Sequence, residues 1–201
     1  MTQSVMTKYD FSDVIRLYND TLTPLAESYK NSKNLGGKVR GTVGRLYENI
    51  AHAIILMVNP NLTVLHNDYI NVPSRSGRYF KKTQVDLHVY NKDKLILVIE
   101  GKTFLDSSML DRAISEFDKI RRVKDKMLPS CVFTGQQCVS EESFLWFHDE
   151  QPFDLFVVNE TKKRDSKYPI FQTLDPLDVN KLTQFADYVD NIVQRLSLIH
   201  I

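Results

Sequence analysis

Cysteine, glycine and proline are all scarce in this chain of 201 residues, which holds 2, 7 and 7 of them. Cys131 and Cys138 are too few for a disulfide scaffold and are not spaced as a metal ribbon. No repeat, low-complexity tract or Pro-rich linker divides the chain, so one domain is expected over residues 1–201. Long hydrophobic runs are missing too. The longest, residues 51–58, contains His52 and falls well short of the roughly 20 residues a membrane helix needs. The opening Met-Thr-Gln-Ser-Val lacks a basic region followed by an apolar one, so no secretory signal is expected and a reduced, cytoplasmic setting is. Net charge is also small: 26 Lys and Arg against 25 Asp and Glu leave +1, which argues against a histone-like binder.

What is present is a sizeable apolar fraction, 42%, enough for a real core and against disorder as the main state. Charge is clustered rather than absent. No acid lies between Glu27 and Glu48, while Lys30, Lys33, Lys38, Arg40 and Arg45 do. Between Asp68 and Asp86 the only charges are Arg75, Arg78, Lys81 and Lys82. Such clusters suit a polyanion, although solvated loops lacking acids would look the same.

Apolar spacing predicts helices over about residues 11–29 and 42–57, with a flexible loop at Asn34-Leu35-Gly36-Gly37. Strands are expected over 62–70, 83–90 and 94–102. A helix capped by Asp106 or Ser107 should run to about Lys126, followed by a strand over 130–134. A short helix over 141–148, a strand over 153–158 and a helix over 179–198 complete the chain. The expected fold is α/β, a mixed central sheet flanked by helices.

One stretch carries the chemistry. In Gln84-Val-Asp86-Leu-His88-Val-Tyr90, Asp86 falls on the more polar face of its strand. The next strand, Leu95-Ile-Leu-Val-Ile99, is apolar throughout, yet ends in Glu100-Gly-Lys102, with Glu100 and Lys102 on one face. If the hairpin between them is centred on Asp93, Asp86 stands across from Glu100, with β-carbons about 4.5–5.5 Å apart. Two carboxylates so placed repel, and a hard divalent cation such as Mg²⁺ would remove the conflict. A one-residue slip would put the acids on opposite faces.

Asp86, thirteen intervening residues and then Glu100-Gly-Lys102 resemble the PD-(D/E)xK nuclease superfamily, the fold of most type II restriction endonucleases. Gly44-Arg-Leu-Tyr-Glu48 is similar to its GxxxE helix motif, and the element order over about residues 42–134 to its αβββαβ core. Val85 stands where the name-giving proline would be. The resemblance implies Mg²⁺-dependent hydrolysis of DNA phosphodiesters, with Asp86, Glu100 and Glu48 as metal ligands and Lys102 as the residue that orients water and stabilises charge. Glu48 also reads as an ordinary surface acid beside Arg45, and His88 and His52 as ordinary packed residues.

Arg75, Arg78, Lys81 and Lys82 lie just before the strand of Asp86, where they could clamp phosphate or read bases. Lys162, Lys163 and Arg164 form a second candidate loop, while the basic residues between Lys119 and Lys126 end a helix whose dipole they complement. The leading expectation is a site-specific restriction endonuclease acting as a homodimer on double-stranded DNA. The first and last helices would then serve packing, dimerisation or DNA contact. A junction resolvase or a repair or phage nuclease of the same superfamily is the second reading, and a DNA-binding module without cleavage the third.

Overall fold

The chain is described by a computed structural model over residues 8–30, 36–161 and 175–199. Two helices come first, α1 (Ser12–Lys30) and α2 (Gly36–Val58). On α1, Val14, Tyr18 and Leu22 recur every four residues and are all buried. The start of α2 departs from expectation: Gly36 and Gly37 open the helix instead of forming a loop. Glycine costs about 1 kcal/mol in a helix. That cost is offset by a long buried stripe, Val43, Leu46, Tyr47, Ile50, Ala51, Ile54 and Ile55.

Seven strands follow: β1 (Thr63–His66), β2 (Tyr69–Pro73), β3 (Phe80–Gln84), β4 (Leu87–Asn91), β5 (Lys94–Leu105), β6 (Ser130–Gln137) and β7 (Asp154–Val157). Helix α3 (Ser107–Val123) connects β5 to β6, α4 (Glu141–Glu150) connects β6 to β7, and α5 (Val179–Ile199) closes the chain. The expected cap is present on α3, and α4 is capped as well. Asp106 accepts from Met109 N at the start of α3, and Ser140 from Ser143 N at the start of α4.

Five strands form one mixed sheet in the order β1-β4-β5-β6-β7. β4 runs antiparallel to its neighbours β1 and β5, whereas β5, β6 and β7 are parallel. One face carries Leu87, Val89, Leu97, Ile99, Cys131 and Phe133, in a core shared with α1, α2 and α5. The other carries Val98, Leu105 and Val132 against Leu110, Ile114 and Phe117 of α3. This is an α/β architecture with helices on both faces, as β5 and β6, buried on both sides, require.

Two strands expected as continuous, 62–70 and 83–90, are each broken. The breaks face each other: Asn67 N donates to Asp86 O at 2.9 Å, and Asn67 sits in left-handed backbone with φ 53°. Asparagine tolerates that conformation because its short amide can bond locally. Beyond the break, β2 and β3 leave the main sheet as a separate hairpin, seating Ile70 and Val72 in the α3-side core.

Candidate active site

The register decides whether the two acids share a face. Leu87 pairs with Ile99, His88 with Val98 and Val89 with Leu97, so the next position outward sets Asp86 across from Glu100. The hairpin turn alone would not have done this. It is a tight Lys92-Asp93 turn, Asn91 pairing with Lys94, and carried on unbroken it would pair Asp86 with Ile99. A β-bulge between Val89 and Tyr90, which leaves Ile96 as the extra residue on β5, moves the register by one. The expected parity therefore holds through a bulge, not through a turn centred on Asp93.

Around that register the side chains close on a lysine. Lys102 Nζ lies 3.0 Å from Asp86 Oδ2 and 2.6 Å from Glu100 Oε1. Gly101 N donates to the same Asp86 oxygen at 2.8 Å, fixing that carboxylate to the backbone of β5. Glu100 is buried, and burial first, then the Asp86 charge, push its carboxyl up; Lys102 and Arg112 work against them. For Lys102, burial disfavours the charge, but Glu100 and Asp86 together outweigh it and hold the amine above its ordinary value.

Glu48 approaches from α2 across Gly101. A β-carbon built at Gly101 would fall 2.8 Å from Glu48 Cγ and 3.4 Å from Glu48 N, so the helix sits where only glycine leaves room. Burial, then Asp86 and Glu100, raise the Glu48 carboxyl from an ordinary 4.5 to about 7, with Lys102 and Arg45 opposing. Glu48 is thus coupled in charge to the trio. Among the described residues, no three His, Cys, Asp or Glu side chains converge as a ready metal cage.

His66 is a neighbour with no motif around it to single it out. Its Nδ1 is 3.8 Å from Glu48 Oε2, and its Nε2 is 2.6 Å from His52 Nδ1. Burial, and for His52 also the charge of His66, lower both imidazoles. Two successive residues at the end of β1 therefore serve this corner, His66 beside Glu48 and Asn67 on the Asp86 carbonyl. His88, on the face of Asp86, is fully buried as expected for a packed strand residue. Neither ring nitrogen has a hydrogen-bond partner among the described residues.

Arg75, Arg78, Lys81 and Lys82 are all exposed on the β2–β3 hairpin, and none forms an ion pair among the described residues. Lys162, Lys163 and Arg164 lie outside the described residues. The basic end of α3 is engaged in structure. Lys119 pairs with Glu116, and Arg121 donates to the carbonyls of Leu128 and Pro152.

The donor set is hard oxygen throughout. With all three acids ionised, Asp86, Glu100 and Glu48 exceed the charge of Lys102 by two, and this excess adds to burial in raising the Glu48 and Glu100 carboxyls. Carboxylate oxygens are the donors a small divalent cation prefers, although among the described residues they are not gathered into a group of three. No protein-family model matches the chain, and no curated protein is significantly similar to it, so the assignment rests on this geometry.

Proposed function

We propose that the chain is a Mg²⁺-dependent endodeoxyribonuclease with a restriction-endonuclease-like core, hydrolysing phosphodiesters of double-stranded DNA. The observation that carries this reading is the Lys102 ammonium held between Asp86 and Glu100 at the end of a buried strand. Folding alone supplies no reason for two acids and a lysine there, since isolated ion pairs at half-buried positions add little stability.

Asp86 and Glu100 would hold the cation, with Glu48 as a third oxygen donor or as a base for the attacking water. The ion supplies Lewis acidity and offsets charge on the phosphate. Gly101 N keeps one Asp86 oxygen oriented throughout. Lys102 has a flexible stem, so its ammonium can exchange a carboxylate for a phosphate oxygen and stabilise the charge that builds there. Without the cation the Glu48 carboxyl stands at about 7, and a bound cation would pull it down and favour the ionised form that can ligate or accept a proton.

The narrower form, a homodimeric site-specific restriction enzyme, rests on the sequence resemblance. A resolvase or a repair or phage nuclease shares the same site chemistry. A binding module that has lost cleavage is disfavoured by the intact acid–acid–lysine set. Incubation of the protein and Mg²⁺ with plasmid, linear phage DNA and a four-way junction separates these. Discrete repeated fragments support restriction, and cutting of the junction alone supports a resolvase. DNA binding without cleavage under any divalent ion contradicts the nuclease reading. Lys102→Ala should abolish cleavage while leaving most DNA binding; equal cleavage by that variant contradicts the assigned roles.

A further inference from the structure

The β2–β3 hairpin does more than fill the sheet's α3 side. Opposed residues on two antiparallel strands share a face. The register Tyr69↔Gln84, Asn71↔Lys82 and Pro73↔Phe80 therefore puts Tyr69, Lys82 and Phe80 on one side, and Ile70, Val72 and Thr83 on the other. The second set is the buried one. The first is its exposed counterpart: Tyr69 is 55% and Phe80 70% exposed, and Tyr79, next to Phe80, is 75% exposed. Successive same-face pairs are about 6.6–6.8 Å apart along a strand. The outer face is thus a stripe of aromatic, ammonium, aromatic, about 13 Å long, with Lys82 Nζ 5.5 Å from the centre of the Tyr69 ring.

Large aromatics left in water at this density mark a binding surface rather than a core. The charge around them names the partner's sign. Arg75 and Arg78 stand in the turn, Lys82 lies on the stripe itself, Lys81 is exposed on the other side of β3 across from Val72, and no acid lies between Asp68 and Asp86. The turn itself is built tightly, with Ser74 N donating to Tyr79 O, Gly77 N to Ser74 O, and Gly77 at φ 71°. Cations track a phosphate backbone, and exposed aromatic faces stack on bases. A fully paired duplex hides its base faces, so a stripe of this kind has a use only where bases are unpaired.

The joint ties the stripe to the catalytic corner. Tyr69 is paired with Gln84, two residues before Asp86, and Gln84 Nε2 donates to Asn67, whose N–H holds the Asp86 carbonyl. We infer that the hairpin is a stacking platform for unpaired bases, so that the DNA acted on carries a single-stranded stretch beside the scissile phosphate. The inference rests on the nuclease reading for its substrate, and it favours the junction or repair form over restriction of fully paired sites.

Binding and cleavage test the two separately. In EDTA, the full chain is titrated by fluorescence anisotropy against a labelled blunt duplex and the same duplex with a single-stranded tail. The tailed DNA should bind at least tenfold more tightly. Phe80→Ala and Tyr69→Ala should each weaken tailed binding about tenfold and change blunt binding less than twofold, whereas Phe80→Trp should retain the preference. Equal affinity for the two DNAs overturns the inference. So does a uniform loss in the alanine variants, or a change in sedimentation with no change in DNA binding, which would make the stripe a contact between copies of this chain. Mg²⁺ is then added. A tail preference without cleavage defeats the nuclease reading and leaves the platform standing; cleavage without the preference does the reverse.

Discussion

Glu48 is the residue whose protonation tells most about the site. Its folded pKa of about 7 stands above the ordinary 4.5, so between those values the folded chain binds more protons than the unfolded one. This contribution is therefore favourable to folding below about pH 4.5 and is lost as pH rises through 7. After solvent screening the loss amounts to about 1–2 kcal/mol. In EDTA, thermal unfolding should show Glu48→Gln more stable than the parent at pH 8 and equal to it at pH 4.5. A variant less stable at pH 8 would mean that Glu48 is satisfied rather than repelled. Two glycines below α2 make a second residue-scale test. A β-carbon at Gly135 would lie 2.3 Å from Tyr47 Oη and 2.8 Å from Thr103 O, whereas at Gly101 it meets the movable Glu48 side chain. Gly135→Ala should cost about 3 kcal/mol or more and Gly101→Ala about 1–2; calorimetry decides the order. Gly101→Ala should lower cleavage further than its stability loss explains, because Glu48 must move.

At the scale of elements, alternation and caps were readable and breaks were not. The apolar run at residues 95–99, the acids after it and the cap at Asp106 all carry local signals, and those elements formed as expected. The interruptions at Asn67 and Asp86 have no local signal, because the residues on either side continue a strand pattern. What splits them is tertiary: Ile70 and Val72 gain burial against α3 only if the hairpin leaves the sheet. The bulge at Ile96 is equally silent, since a run apolar at every position gives no phase to read. The site was legible to the extent that it depends on spacing within β4 and β5, while His66 and the hairpin's outer face required the fold. Asn67 offers the test at this scale. Asn67→Gly should keep most of the stability, and Asn67→Val should lose about 1–2 kcal/mol for a left-handed β-branched residue. Equal stability of the two in chemical denaturation would mean that the break does not constrain the backbone.

For the molecule as a whole, a buried polar network holds α2, and with it Glu48, on the sheet. Tyr47 donates to Asn159 Oδ1 at 2.8 Å, Asn159 Nδ2 donates to Tyr18 Oη, and Tyr18 donates to Asp175 O at 2.6 Å. Gln136 completes it on Asp175 Oδ2. The network joins α1, α2, β6 and the segments on either side of residues 162–174, so the corner of Glu48, Asp86, Glu100 and Lys102 is supported from elements distant in sequence. No helix among the described residues is long and apolar enough to cross a membrane. With net charge near zero, attraction to a polyanion must come from local clusters such as the hairpin. The most direct test of the central claim is cleavage of duplex DNA, both blunt and carrying a single-stranded tail, by wild type, Asp86→Asn and Glu100→Gln side by side, with Mg²⁺ and with EDTA. The account predicts strand scission by wild type with Mg²⁺ alone, and a loss of at least a hundredfold in either folded variant. Scission that survives EDTA or either substitution would contradict it, as would no scission by wild type with any divalent ion.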